Sequence, residues 1–259
     1  MTAPFETLDA FRVILADLPQ PNAEAVAGAQ ARNGQLTKPP GALGRLEDLA
    51  IWYAGWRGDA RPGLNAPQVI VFAGNHGVTA QGVSAFPADV TVQMVANFES
   101  GGAAINQLAK AFGAKMDVHA LSLDTPTADF TQGPAMSEAE VIEALQVGWN
   151  AVDPQADLLV TGEMGIGNST AAAALCARSY GGTPAQWVGP GTGVDADGIA
   201  RKVAVVERAL AFHDAAPRTP FEPLRRRGGR ETAAIAGAVL EARRQRVPVV
   251  LDGFISCSA

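Results

Sequence analysis

Three loops in this sequence combine backbone-exposing glycines with side chains able to hold an anion or move a proton. The first is FAGNHGV (72–78), which runs on into TAQGVSAFP (79–87); the second is TGEMGIGNST (161–170); the third is VGPGTGVDADG (188–198). In the second, Gly165 and Gly167 let the backbone approach a ligand closely. Asn168 and Ser169 then open a helix whose free N–H groups and positive dipole end favour negative charge. Gly191, Thr192 and Gly193 repeat the arrangement, with Lys202 in the helix that follows. Taken singly, either loop also fits a tight turn needing positive φ. Glu163 stands between a strand end and the second loop. A carboxyl there is drawn out of water and needs a partner or a role in proton transfer. The plainer alternative is a dipole partner for the next helix, and the flanking glycines favour the functional role.

Other candidates read less sharply. His76 could be an acid, a base or a satisfied structural histidine, and the sequence leaves these open. His119 alternates within a strand and reads as packing; His213 lies near a helix end. Arg225, Arg226, Arg227 and Arg230 read as a solvated loop and helix start, and Trp52 and Trp56, four apart on a helix, as packing. GxxxxGK[ST], HExxH, clustered Cys/His and GxSxG patterns do not occur, which disfavours a P-loop NTPase, a zinc site and an α/β-hydrolase. Residues 191–196 (GTGVDA) match GxGxxG/A, but no acid follows about 20 residues on at a second strand end, so NAD binding is disfavoured.

The elements that must carry these loops alternate. Apolar runs at 69–74 (VIVFAG), 116–124, 156–165, 186–189 and 247–254 read as strands. Between them lie helical stretches at 88–112 (broken or closely packed at Gly101-Gly102), 137–149 with a Ser137/Glu140 capping box, 168–180 capped by Asn168, Ser169 or Thr170, and two more before the last strand. Strand–loop–helix alternation predicts right-handed crossovers and a parallel sheet with helices on both faces, a Rossmann-like α/β fold. Ligands bind such sheets beyond the carboxyl ends of the strands, where the three loops should converge. Helices at 5–18, 22–33 and 43–56 precede the sheet, so residues 1–60 are expected to be a helical segment and 61–259 the nucleotide-binding domain.

Composition bounds the rest. The 259 residues are 47% hydrophobic and 18% charged, which excludes an intrinsically disordered chain. Net charge is −6, a poor basis for non-specific binding to nucleic acid or membrane surfaces. Cys176 and Cys257 form no CxxC pair, the N-terminus lacks a signal-peptide core, and no stretch is apolar enough to span a bilayer. The expectation is a cytoplasmic protein in a reducing compartment.

Six stretches, in order, are similar to one family: LTKPPGALGRLE (36–47), residues 71–106, GEMGIGNSTAAAAL (162–175), VGPGTGVDADGIARK (188–202), GGRETAAIAGAVL (228–240) and PVVLDGFI (248–255). The chain thus resembles the nicotinate-nucleotide–dimethylbenzimidazole phosphoribosyltransferases of cobalamin biosynthesis. The resemblance implies phosphoribosyl transfer from nicotinate mononucleotide to 5,6-dimethylbenzimidazole without metal or organic cofactor, by a homodimer. It implies that Ser84, Phe86 and Gln93 line the benzimidazole pocket, that Glu163 is the active-site acid, and that Gly165, Gly191 and Lys202 hold the nucleotide phosphate. Phe86 replaces a common tyrosine, and Asn75 stands where many members have Asp. The family's RLGEG-like motif, which supplies its general-base glutamate, has no counterpart here. The resemblance therefore implies an α/β domain incomplete at its C-terminal end, with Glu163 as the candidate base. Two rivals are a non-catalytic nucleotide or benzimidazole binder, recognised by binding without turnover, and a nicotinamide-dependent oxidoreductase, dismissed by failure to bind NAD(H).

Overall fold

In the computed structural model, which describes residues 2–217 and 219–259, a four-stranded parallel sheet has the order β2-β1-β3-β4. The strands are β1 (Pro67–Ala73), β2 (Lys115–Ala120), β3 (Leu158–Met164) and β4 (Val249–Leu251). β1 and β3 are the central strands, and β1, with its VIVF run, is buried almost end to end. From β1 the chain first builds outward to β2, then crosses back to place β3 on the other flank of β1. The strand order therefore reverses between β1 and β3, the position where open α/β sheets form their ligand crevice.

Helices cover both faces. On one, α6 (Glu138–Ala151) and α11 (Arg230–Arg244) lie against Ile70, Phe72 and Leu159 through Ala234, Ile235 and Ala238. Their approach is set by two glycines. A Cβ on Gly148 of α6 would stand 1.7 Å from the Ala234 carbonyl oxygen, and one on Gly237 of α11 would stand 2.1 Å from that of Leu145. α4 (Val90–Glu99) and α5 (Ala104–Ala111) pack against β2, α4 also touching β3. A second core joins the Ala-rich α7 (Asn168–Tyr180), α9 (Ala196–Phe212) and the N-terminal residues. There Phe5 meets Phe11 edge-on at 4.8 Å and Trp149 at 5.5 Å, with Phe11 carried by α1 (Leu8–Leu15). α2 (Ala23–Gln35) and α3 (Arg45–Arg57) pair as a hairpin.

The break anticipated at Gly101-Gly102 is present: residues 88–112 form two helices, parted at residues 100–103, where Gly101 takes a φ of 78°. Three expectations change. The strand expected at 186–189 is instead the short helix α8 (Pro184–Trp187): Thr183 and Gln186 form a capping box around Pro184, local chemistry that overrides the β-propensity of Trp187 and Val188. The last strand is three residues long, because Gly253 starts α12 (Phe254–Ser258). The N-cap of α7 is Gly167 at φ 92°, with no side-chain cap from Asn168, Ser169 or Thr170.

The arginine cluster is also corrected. It is a packed junction between α10 (Glu222–Arg227) and α11. Arg225 and Arg226 both pair with Glu222, Arg230 with Glu140 and the Thr125 carbonyl, and Arg227 is buried. The carboxylates and carbonyls gathered there, which sequence order does not show, draw Arg225, Arg226 and Arg230 inward, whereas Arg227 is buried with Nε and Nη2 unpartnered. Desolvation pushes Arg227 down to about 10.

Candidate active site

The loops following β1, β3 and α8, together with the start of α12, enclose a cavity of about 560 Å³ above the β1/β3 junction. Its lining includes Ser84, Glu163, Gly165, Gly167, Asn168, Ser169, Gly189, Gly191, Thr192 and Phe254. The first and third loops are tied across it: Ser84 Oγ and Thr192 Oγ1 are 3.0 Å apart, the Ala85 amide donates to Thr192 Oγ1, and Arg201 donates to the Gly82 carbonyl.

One wall suits an anion. Gly167 turns the chain through a left-handed conformation directly into α7, whose first residues, Asn168 and Ser169, line the cavity; the Asn168 and Thr170 amides are bonded to the Gly165 and Gly167 carbonyls. Behind them Lys202 is 1% exposed; its Nζ donates to Ser169 Oγ at 2.9 Å and to the Gly189 carbonyl at 2.8 Å. Burial pushes the Lys202 ammonium downward, so an incoming phosphate would meet a poorly hydrated cation.

The cavity lining also holds Glu163, paired with Phe72 across the sheet. Burial pushes its carboxyl up to about 7 against the hydrogen bond from Asn168 Nδ2; Glu231 and Asp252 push the same way, and His76 opposes them. A carboxyl poised there is suited to accept a proton near neutral pH. Beneath the floor, His76 Nε2 lies 2.8 Å from Glu231 Oε1, both side chains fully buried. His76 thus has a carboxylate partner, and Glu231 is a residue that the sequence does not single out. A Glu in a helix's first turn reads as a dipole partner. The same turn carries Arg230 and Thr232, so nothing in its sequence marks Glu231 as buried.

Of the residues expected in the site, Ser84, Glu163, Gly165 and Gly191 share the cavity wall and Lys202 backs it. Phe86 (53% exposed) and Gln93, on α4, are exposed and stand outside the lining. Among the described residues no group of three or more His, Cys, Asp or Glu side chains is placed to hold a metal, and no helix is long and apolar enough to cross a membrane.

An open parallel sheet whose switch-point crevice is lined by glycine loops and a largely buried acid defines an α/β enzyme architecture. Sequence comparison narrows the class. A phosphoribosyltransferase family model matches residues 18–259, and the chain belongs to that family. A nicotinate-nucleotide–dimethylbenzimidazole phosphoribosyltransferase of Roseobacter denitrificans is 67% identical over 259 residues, all of this chain and 77% of its own length. The enzyme of that name from Ruegeria pomeroyi is 68% identical over 249 residues, 96% of this chain and 74% of its own. The crystal structure of CobT from Thermus thermophilus superposes with a TM-score of 0.84 at 42% identity, covering 91% of this chain and 76% of that one.

Proposed function

We propose that this chain transfers the phosphoribosyl group of nicotinate mononucleotide to 5,6-dimethylbenzimidazole, giving α-ribazole 5′-phosphate and nicotinate. Family membership supports the reaction. The observation that carries the site assignment is Glu163, raised to about 7 in a 560 Å³ cavity whose anion wall is Ser169 and Gly191 with Lys202 behind them. The 5′-phosphate would sit on that wall, against Gly165 and Gly191, which places the ribosyl C1 over the floor. The bond from C1 to the pyridinium nitrogen breaks, its electron pair leaves with neutral-ring nicotinate, and a benzimidazole nitrogen bonds C1 from the opposite face. The proton on the other benzimidazole nitrogen passes to Glu163. Ser84, Phe86 and Gln93 would receive the benzimidazole, with Phe86 and Gln93 coming from the rim.

We read residues 1–60 as a helical unit and 61–259 as the nucleotide-binding unit; the α2–α3 pairing supports that division, while Phe5 and Phe11 of the first unit pack into the core of the second. The working form is inferred to be a cytoplasmic homodimer, to be checked by sedimentation. The test of function is incubation with both substrates and chromatography for nicotinate and α-ribazole phosphate. Product from the native chain and none from Glu163→Gln is the expected result; binding of both substrates without product would overturn it.

A further inference from the structure

Glu163, near the end of β3, and Asn168, the first residue of α7, both line the cavity, and the turn between them is pinned at three points. The Gly74 backbone N–H donates to the Met164 carbonyl at 2.9 Å. The buried Thr91 hydroxyl of α4 accepts from the Ile166 backbone N–H at 3.2 Å. The Asn168 backbone N–H closes on the Gly165 carbonyl at 3.1 Å. Across that turn the Asn168 side chain reaches back five residues, and its Nδ2 donates to Glu163 Oε2. Gly165 keeps the route open: a Cβ there would stand 3.3 Å from Asn168 Nδ2 and 2.7 Å from the Gly74 carbonyl oxygen. The second carboxyl oxygen differs. Among the described residues no donor reaches Glu163 Oε1, and it is not sealed from solvent. One oxygen is held and the other is free in the cavity. The holder is a neutral amide, which orients a carboxyl without adding a charge, unlike Lys38 on Glu47.

We propose that Asn168 is a positioning residue for the transfer: by holding Glu163 Oε2 it fixes the plane of the carboxyl and presents Oε1 as the atom that accepts the proton. This deepens the reading of Glu163 as the base and rests on it. As the second benzimidazole nitrogen gives up its proton, the N–H bond breaks, its electron pair stays on the ring, and an O–H bond forms at Oε1. The bond at Oε2 persists throughout, because an amide N–H donates to a carboxylate and to the carbonyl oxygen of a carboxylic acid alike. Without it the carboxyl is free to turn, and misplacement by about 1 Å can cost about 100-fold in rate. The Asn168 side chain thus belongs to the acid, whereas that of its neighbour Ser169 belongs to the anion wall with Lys202.

The test is steady-state kinetics of Asn168→Leu, which keeps the bulk and loses the donor, alone and combined with Glu163→Gln. Asn168→Leu should lower kcat about 10–100-fold, the worth of a hydrogen bond to a charged group, with KM for nicotinate mononucleotide unchanged. In the Glu163→Gln background the same change should cost nothing further, because the group it positions is gone. Native kcat in Asn168→Leu, beside an inactive Glu163→Gln, overturns this proposal alone. A raised KM with kcat unchanged also overturns it, by moving the amide to the anion wall, and so does a full further loss in the double variant. Native turnover by Glu163→Gln overturns the base reading and the proposal together. A second readout needs no substrate: the Glu163 titration midpoint, followed by 13C NMR of carboxyl-labelled protein and assigned with Glu163→Gln. It should rise by about one pH unit in Asn168→Leu, the scale of one donated bond. Glu231 of α11, His76 of the loop after β1 and Asp252 of the loop after β4 also act on Glu163, and they are the same in both proteins. A midpoint that stays or falls overturns the proposal. If the native chain does not turn over, the functional reading fails, and this readout still decides whether Asn168 holds the carboxyl. Asn168→Ala carries the same expectations should Asn168→Leu not fold.

Discussion

Glu47, in the first turn of α3, accepts hydrogen bonds from Lys38 Nζ, Asn33 Nδ2 and the Leu43 amide, whereas Glu163 accepts from Asn168 alone. The hydrogen bonds from Lys38, then Asn33, then the Leu43 amide hold Glu47 down at about 2; burial lifts Glu163 to about 7. The same functional group thus serves two ends. Surrounded by donors, it is committed as an ion and stitches the α2–α3 hairpin. Starved of donors beside other acids, it is left able to take up and release a proton near neutral pH, which is what acid–base chemistry requires. The hairpin's carboxylate carries structure, and the pocket's carries reactivity.

The sharpest way to break this contrast is kinetic. Glu163→Gln should lower kcat by about 10²–10⁴, the range for losing a general base, while Glu47→Gln leaves kcat and KM unchanged. Equal losses in steady-state assays would mean that the two acids are not different in kind. Next in size is Lys202→Met, which removes the buried cation behind the anion wall and should raise KM for the nucleotide about 10–100-fold with kcat little changed. A fall in kcat alone would move Lys202 from the phosphate wall to the reacting centre.

The smallest effects are thermodynamic and opposite in sign. Glu163 is raised in the fold from 4.5 to about 7, so its burial is harmless below pH 4.5 and increasingly costly as pH rises through 7. Glu163→Gln should therefore melt like the native chain at pH 4.5 and be more stable at pH 8, by roughly 3 kcal/mol. Glu47 is lowered from 4.5 to about 2, so its stabilisation is complete above pH 4.5 and is lost as pH falls towards 2. Glu47→Gln should be the less stable at pH 7, with the deficit shrinking below pH 4.5. Chemical denaturation at several pH values reads both, and curves that diverge in the same direction would refute the contrast.

Much of this arrangement is legible in the sequence because it is local. Alternating apolar runs and capped amphipathic stretches give the parallel α/β class, and Gly-rich strand ends give the position of the crevice. Glu163, Gly165, Gly191 and Lys202 follow from those loops. The reversal of strand order at β1 is a matter of packing and leaves no local trace. Glu231 and the arginines of α10 and α11 are illegible for one reason: a charged residue in a helix's first turn or a loop looks solvated until the tertiary contacts that bury it are known. The helix at Pro184–Trp187 is different, since the Thr183/Gln186 capping box is there to read, and the apolar pair Trp187–Val188 masks it.

Between α6 and α11 the carbonyl of each helix stands where the other's side chain would begin, at Gly148 and Gly237. Mechanically the two helices are meshed like gear teeth: neither can slide or roll without driving backbone into backbone. Glu231 rides at one end of that meshed pair. The helix that backs β1 and β3 is thus braced by peptide groups, which have no rotamers to change, and two missing methyl groups make that bracing possible.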